Sequence, residues 1–147
     1  MAPLNTQGGL ALVDTSVWTR LARRREVAEA LTAKLAAGQA LCTCPLVDLE
    51  LLHSARGPAE YDEWATTRAR AYPSLPLTPA AGARALQVQQ LLARRGLHRS
   101  AKLPDLLIAA IAELAGAVVV HYDGDYDHIS AVTGQPTEWI VTRASVD

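Results

Sequence analysis

The stretch Leu10-Ala11-Leu12-Val13-Asp14-Thr15-Ser16 decides the fold class of this chain. Its four apolar residues form a run that is too short for a helix and predict a buried strand. The acid that ends the run opens Asp-Thr-Ser, and these residue types are typical of the position just before a helix. A strand that passes directly into a helix begins a strand–helix–strand unit, so the sequence predicts an α/β domain.

Strand and helix signals continue to alternate after this stretch. Short apolar runs predict further strands at residues 40–43, 118–120 and 137–141, and a weaker run predicts one at residues 75–77. Prolines in first turns and glycines at the ends delimit the predicted helices between them. The first helix is predicted to run from Ser16 through the arginines at 23–25. This order predicts a mainly parallel central sheet flanked by helices.

Length and composition favour a single domain. The chain has 147 residues, 50% of them apolar, which allows a sizeable core. We predict the domain at residues 10–147, after a disordered lead-in at residues 1–9 that lacks the apolar segment of a secretory signal. No apolar run reaches the roughly 18 residues of a membrane span. Cys42 and Cys44 suit packing on one strand face and not a disulfide, so we expect a cytoplasmic protein.

Four acidic residues border or interrupt apolar segments. Asp14 and Asp123 each follow a predicted strand, Glu50 lies inside an apolar run, and Asp105 follows a proline that opens a helix. The carboxyl ends of parallel strands meet at one edge of the sheet, so Asp14 and Asp123 are expected at that edge. Isolated carboxylates are costly to bury unless something pairs with them, and a hard divalent cation pairs with several at once.

Each acid also has an explanation that involves no shared site. These explanations are an N-cap for Asp14, a helix dipole for Asp105, a solvated helix position for Glu50 and a polar turn for Asp123. The face of Glu50 is nevertheless not expected to be plainly exposed, because Leu46 and Val47 lie one turn before it. One site is the favoured hypothesis because the four acids fall in the strand–helix order that a shared pocket requires.

Basic residues are a weaker signal. The net charge of −1 gives no overall field that would attract a polyanion, so phosphate binding must rely on local groups. Several cationic residues near the acids are candidates for RNA binding: Arg20, Arg94, Arg95, Arg99 and Lys102. The alternative is that they are solvated residues at helix ends, and the sequence leaves both interpretations open.

Motifs for several other chemistries are missing. The sequence has no GxGxxG or GxxxxGK[ST] loop for a nucleotide, no GxSxG nucleophile turn, and no cysteine and histidine set with zinc spacing. A site for a divalent cation is therefore the hypothesis that the acids support.

The motifs around the acids resemble those of the PIN-domain ribonucleases, most closely the VapC-like toxins of bacterial toxin–antitoxin pairs. The resemblance covers nearly everything after Gly9 and rests on five segments, at residues 12–18, 49–52, 104–110, 121–129 and 136–139. The positions that match the acids of the family are Asp14, Glu50, Asp105 and Asp123. Tyr126 stands where phenylalanine is frequent.

This resemblance implies a PIN-like three-layer fold and an endoribonuclease toxin that hydrolyses RNA, with tRNA as the expected substrate. It implies Mg²⁺, with Mn²⁺ as a substitute. The ion would lie nearest Asp14, Asp105 and Asp123, with Glu50 at a second ion or at the attacking water and Asp125 assisting. Thr15 and Ser16 would be accessory residues. The family further implies a cognate VapB-like antitoxin and a homodimer.

Other functions remain compatible with the sequence. A non-catalytic PIN-like module would bind RNA or a protein partner, and a metal-dependent DNA nuclease would need the same acids, because chemistry at the phosphate does not read the sugar. A metal-dependent phosphatase of doubly wound fold is a further alternative, which cleavage of a small phosphomonoester would support.

Overall fold

The computed structural model describes residues 8–146. Most of the predicted lead-in, residues 1–7, lies outside this range. Gly8 and Gly9 do not belong to a disordered lead-in, because the Gly8 N–H donates to the Gly38 carbonyl (3.1 Å) and the Gly9 carbonyl accepts from the Ala40 N–H (3.0 Å). Paired backbone therefore begins two residues before the predicted domain boundary.

Strands and helices alternate along the described residues. The four strands are β1 (Leu10–Val13), β2 (Ala40–Cys42), β3 (Val118–His121) and β4 (Thr137–Trp139). The seven helices are α1 (Thr15–Leu21), α2 (Arg25–Ala36), α3 (Pro45–His53), α4 (Pro58–Ala71), α5 (Pro79–Ala93), α6 (Leu103–Ala115) and α7 (Asp125–Thr133). No helix between residues 8 and 146 is long and apolar enough to cross a membrane.

The four strands form one parallel sheet in the order β2-β1-β3-β4. Side chains alternate between its faces, as strand geometry requires. Leu12 packs with residues of α3, α5, α6 and α7, whereas Ala11 and Val13 pack with Val17 of α1 and Val27 of α2. The sheet is thus covered on both faces, which confirms the predicted α/β fold of three layers.

The sheet contains one topological switch point, between β1 and β3. From β1 the chain passes to β2 on one side, and it later enters β3 on the other side. In open parallel sheets, ligands bind in the crevice beyond the carboxyl ends of the strands at such a point. Asp14 follows β1 directly, and its N–H continues the pairing by donating to the Val120 carbonyl (2.9 Å).

Two sequence-based predictions differ from the structure by more than two residues, and both were wrong. Residues 75–77 form no strand, because the approach to β2 is a single bridge between Thr43 and Ser74, and Pro76, which has no N–H, cannot extend the ladder. Helix α1 ends at Leu21 and does not continue through the arginines at 23–25. The N–H of Arg24 closes a turn onto the Arg20 carbonyl (2.9 Å), after which α2 begins.

Candidate active site

Asp14 lies at the junction of β1 and α1 and is only 3% exposed. Its Oδ2 accepts a hydrogen bond from the Ser16 N–H (3.0 Å), so the N-cap explanation is correct. The cap uses only one carboxylate oxygen. The other oxygen, Oδ1, accepts from the buried hydroxyl of Tyr126 (2.7 Å). Asp14 therefore has a structural role and also contributes to the crevice.

Asp123 and Asp125 lie in the turn between β3 and α7. The Asp123 N–H donates to Nδ1 of the buried His121 (3.2 Å), and Oδ1 of Asp123 accepts from the Asp125 N–H (3.0 Å). The turn explanation for Asp123 is therefore also correct. As with Asp14, it leaves a carboxylate oxygen, Oδ2, for other contacts.

Asp105 is buried in the first turn of α6, a helix whose other buried residues are apolar. Among the described residues, its Oδ2 has no hydrogen-bond partner. Burial, and after it the negative charge of Asp14, raises the pKa of Asp105 to about 8. A buried acidic oxygen without a hydrogen bond is unusual, and its cationic neighbour, Lys102 Nζ, is as far as 3.8 Å away, so this oxygen is available to a metal ion.

These acids converge in space. Single oxygens of Asp105, Asp123 and Asp125 all lie within 4.8 Å of one another. Asp14 joins them through Tyr126, whose hydroxyl lies 2.7 Å from Asp14 Oδ1 and 3.5 Å from Asp105 Oδ1. The four groups come from the ends of two adjacent strands and the starts of two helices, which is the convergence that the shared-pocket hypothesis required.

Glu50 lies at the rim of this cluster. It is exposed, so the expectation that its face would be shielded was wrong. Its Oε1 accepts a hydrogen bond from the Thr15 hydroxyl (3.0 Å), which ties α3 to the start of α1. Partial burial raises the pKa of Glu50, the charges of Asp14 and Asp123 raise it further, and the Thr15 hydrogen bond opposes them. The Glu50 carboxylate thus interacts electrostatically with Asp14 and Asp123 while it remains open to solvent.

Lys102 enters the cluster as its cation. Its Nζ lies 3.0 Å from Asp123 Oδ2, 3.0 Å from Asp125 Oδ2 and 3.8 Å from Asp105 Oδ2. Burial lowers the pKa of Lys102, but hydrogen bonds to Asp123 and Asp125 outweigh it, and the net shift is upward. The structure therefore places this residue among the acids and not on a separate basic surface.

The arginines proposed for RNA binding do not join the cluster. Arg20 donates to the Ser16 carbonyl (2.7 Å), and its guanidinium carbon lies 4.7 Å from the centre of the Tyr122 ring. Arg94, Arg95 and Arg99 are exposed in the segment between α5 and α6.

Ser16 fixes the β3–α7 turn, because its hydroxyl oxygen accepts from the Tyr122 N–H (2.8 Å). Ser16 thus supports the position of the acids.

Sequence reasoning missed Tyr126 as a part of the site. This tyrosine is fully buried. Burial, and after it the charges of Asp14 and Asp105, raises the pKa of the phenol well above its usual range, so the hydroxyl is a donor at neutral pH. A signal existed in the sequence, since a tyrosine replaces the more frequent phenylalanine beside the fourth acid. Its partner, however, is 112 positions away and becomes visible only in the fold.

The donor set of the cluster suits a hard divalent cation. Such ions prefer carboxylate oxygens, and Mg²⁺ takes one or two of them directly while keeping several waters. Among the described residues, Asp105 supplies a buried oxygen without a hydrogen-bond partner, and Asp123 and Asp125 supply oxygens that the ammonium of Lys102 contacts. With Asp14 and Glu50 beside them, these groups can hold a cation and place a water next to it.

Comparison with known proteins gives a consistent result. Residues 11–132 match the PIN domain family. Ribonuclease VapC18 of Mycobacterium tuberculosis (strain ATCC 25618 / H37Rv) is 47% identical over 136 residues, which cover 91% of this chain and 97% of the relative. Ribonuclease VapC51 of the same strain is 43% identical over 139 residues, with 92% and 96% covered.

Solved structures share the fold at low sequence identity. VapBC-1 from nontypeable Haemophilus influenzae superimposes with a TM-score of 0.72 and 15% identity, covering 89% of this chain and 98% of that chain. VapBC2 from Rickettsia felis, solved with a DNA fragment from the promoter, gives a TM-score of 0.71 and 15% identity, covering 88% and 98%.

Proposed function

Because this chain belongs to the PIN-domain family and resembles its VapC ribonucleases over nearly its whole length, we propose that it is a metal-dependent endoribonuclease toxin. Mg²⁺ is the proposed cofactor, and Mn²⁺ is a substitute. The observation that carries this proposal is the convergence of Asp14, Asp105, Asp123 and Asp125 beyond the ends of β1 and β3, with a buried Asp105 oxygen that has no hydrogen-bond partner among the described residues.

Asp14, Asp105 and Asp123 are the residues that would hold the ion, with Asp125 as a further ligand or as a support for it. In their ionised forms these carboxylates repel one another, and a divalent cation removes that cost. When bound, Mg²⁺ supplies positive charge to the phosphate oxygens and makes water a better nucleophile. Without the ion, the ammonium of Lys102 pairs with Asp123 and Asp125. Binding of the ion would displace this ammonium toward solvent, where it can contact a phosphate.

Glu50 is proposed to orient the attacking water. The Thr15 hydroxyl fixes one of its oxygens at 3.0 Å, and the residue is exposed to solvent. Its raised pKa makes it a better proton acceptor than an ordinary surface glutamate. Attack by water on phosphorus breaks the bond to the 3′-oxygen, which leaves and takes up a proton, so the products carry a 5′-phosphate and a 3′-hydroxyl and the ribose 2′-hydroxyl takes no part.

RNA is the proposed substrate because the curated relatives are named ribonucleases, and tRNA is the expected class within it. The proposal predicts that a tRNA transcript is cut with Mg²⁺ present and stays intact with EDTA. DNA of equal sequence is the comparison substrate, and preferential cleavage of DNA would support the alternative nuclease. Binding of RNA without any cleavage would support a non-catalytic module.

The decisive variant for this activity is Asp14→Asn. Asparagine is as good an N-cap as aspartate, so the variant keeps the cap onto Ser16 while it removes one negative charge. We expect cleavage to be abolished and the unfolding midpoint to stay close to that of the native protein. An Asp14→Asn protein that still cuts RNA, and does so in EDTA, would contradict the mechanism.

A VapB-like antitoxin is the proposed partner in the cell, and the cytoplasm is the proposed location. Support comes from the structural neighbours, which were solved as VapBC assemblies. Expression of this chain alone is expected to arrest bacterial growth, and co-expression of the adjacent small gene is expected to relieve the arrest. Absence of rescue by either neighbouring gene would count against the antitoxin while leaving the nuclease proposal intact.

A homodimer is proposed through the outer face of α5 and α6. Leu86 and Leu103 are 70% and 67% exposed there and border the same apolar groove. Leu86→Glu should convert a dimer to a monomer in sedimentation velocity experiments. Leu35→Glu, on α2 at the other side of the sheet, is the matched control and should leave the dimer unchanged.

A further inference from the structure

The hydroxyl of Tyr126 lies between two of the acids. Its side chain is fully buried in the first turn of α7, where the ring packs at 4.9 Å from that of His121. Its oxygen lies 2.7 Å from Asp14 Oδ1 and 3.5 Å from Asp105 Oδ1. A buried tyrosine hydroxyl normally finds one polar partner. Here the neighbours on both sides are carboxylates, from the end of β1 and the start of α6.

We propose that Tyr126 is a positioning residue that holds Asp14 and Asp105 in the arrangement that receives the metal ion. The inference rests on the proposed function and adds to it a residue that touches neither RNA nor the reacting atoms. Asp14 is then fixed through both oxygens, Oδ2 by the Ser16 N–H and Oδ1 by Tyr126. The side chain keeps one orientation before any cation arrives.

The second contact orients Asp105. Its Oδ1 lies next to the hydroxyl, whereas its Oδ2 has no hydrogen-bond partner among the described residues. Oδ1 of Asp105 is thus held by the Tyr126 hydroxyl, and Oδ2 of Asp105 remains available as a metal ligand. The hydroxyl also offsets part of the repulsion between the two carboxylates, which would otherwise move apart. Groups that hold metal ligands in this way commonly determine how tightly the metal binds.

Phenylalanine at this position would fill the same space and remove the donor. We therefore expect Tyr126→Phe to weaken Mn²⁺ binding by about tenfold, within the range of 10- to 100-fold that is typical for such supporting residues. Because the loss is one of affinity, raising the Mn²⁺ concentration should restore much of the RNA cleavage, with little change in the KM for RNA.

The test measures free Mn²⁺ by electron paramagnetic resonance in titrations of the full chain, together with the urea unfolding midpoint. Tyr122→Phe is the matched control. The Tyr122 hydroxyl donates to the Val146 carbonyl, so its loss should not change the Mn²⁺ affinity. Equal Mn²⁺ affinity in Tyr126→Phe and the native protein would overturn the inference, and so would tighter binding in the variant.

A second variant covers the case in which Tyr126→Phe does not fold. 4-Aminophenylalanine at position 126 retains a donor at the end of the ring, so Mn²⁺ affinity close to that of the native protein is expected. A large loss of affinity in this variant would contradict the inference. If the native protein itself bound no Mn²⁺, the proposed function would fail and this inference with it. Native binding without any effect at position 126 would overturn the inference alone.

Discussion

The side-chain nitrogen of Lys102 lies 3.0 Å from Oδ2 of Asp123, although 21 positions separate the two residues in the chain. The same ammonium contacts Asp125 at 3.0 Å and lies 3.8 Å from Asp105. It supplies the positive charge that offsets repulsion among the three acids. Since its side chain is 65% exposed, the ammonium can leave the cluster without disturbing the core.

Lys102→Met should therefore tighten Mn²⁺ binding. The ion no longer has to displace a bound ammonium, and partly exposed ion pairs of this kind correspond to roughly a two- to fivefold change in affinity. RNA cleavage at saturating metal should fall, because a cation near the phosphate is lost. Lys34→Met is the control, as Lys34 pairs with Glu138 on β4. Weaker Mn²⁺ binding in Lys102→Met would mean that the lysine supports the ligands and does not compete with the ion.

The raised pKa of Asp105 predicts how the free energy of unfolding of the metal-free protein depends on pH. Its pKa is raised from 3.8 to about 8 in the folded state, so the folded protein binds more protons than the unfolded chain between these values. The contribution of Asp105 to stability is complete below pH 3.8 and is lost as the pH rises through about 8. Urea unfolding in EDTA should show this loss. Asp105→Asn should reduce it, and an unchanged pH dependence in that variant would refute the assignment.

Thr15 is predicted to act on catalysis through Glu50. Thr15→Val removes the hydrogen bond to Glu50 Oε1 at nearly constant volume, which frees the carboxylate that would orient the water. We expect kcat to fall about tenfold, with the KM for RNA unchanged. Thr19→Val on the same helix is the control, because the Thr19 hydroxyl donates to a backbone group, the Ser16 carbonyl (3.4 Å). Equal rates for both variants would exclude the role.

Arg68 is predicted to stabilise the fold without affecting the site. Its guanidinium donates to Asp48 (2.7 Å) and to the Thr43 hydroxyl (3.1 Å), and it lies over the ring of Trp18. Arg68→Met leaves Asp48 without its cation, so we expect a loss of about 1–3 kcal/mol in the free energy of unfolding.

A matched control for Arg68 is Arg56→Met. The pair of Arg56 with Glu60 lies at the surface, so no measurable change in stability is expected. Mn²⁺ affinity should be unchanged in both variants. A similar loss of unfolding free energy in the two variants would show that burial of the Arg68–Asp48 pair does not increase its contribution to stability.

Local patterns in the sequence predicted much of the fold, because short apolar runs and helix caps are local signals. The same reasoning predicted Asp14 and Asp123 at one edge of the sheet. They lie there because each follows one of two neighbouring parallel strands, β1 and β3. The exposure of Glu50 was misjudged because apolar residues one turn earlier do not determine which face of α3 is covered. Residues 75–77 were predicted as a strand from a local apolar run. They form none, because the pairing of this segment is limited to one bridge between Thr43 and Ser74.

The contacts of Tyr126 and Lys102 could not be predicted in this way. Both depend on how α7 packs against the start of α6, and that packing involves residues far apart in the chain. A tyrosine near an acid in the sequence is usually not a partner of a different acid 112 positions away. Such contacts require the tertiary structure, whereas the acids themselves were recognisable from their places next to apolar segments.

Anomalous diffraction from crystals soaked in Mn²⁺ would show whether the converging carboxylates form a divalent metal site. A manganese peak is expected at bonding distance from oxygens of Asp14, Asp105 and Asp123, with the Lys102 ammonium displaced from Asp123. A crevice without a peak, in which Lys102 stays paired with Asp123 and Asp125 at high Mn²⁺ concentration, would contradict the proposed metal site.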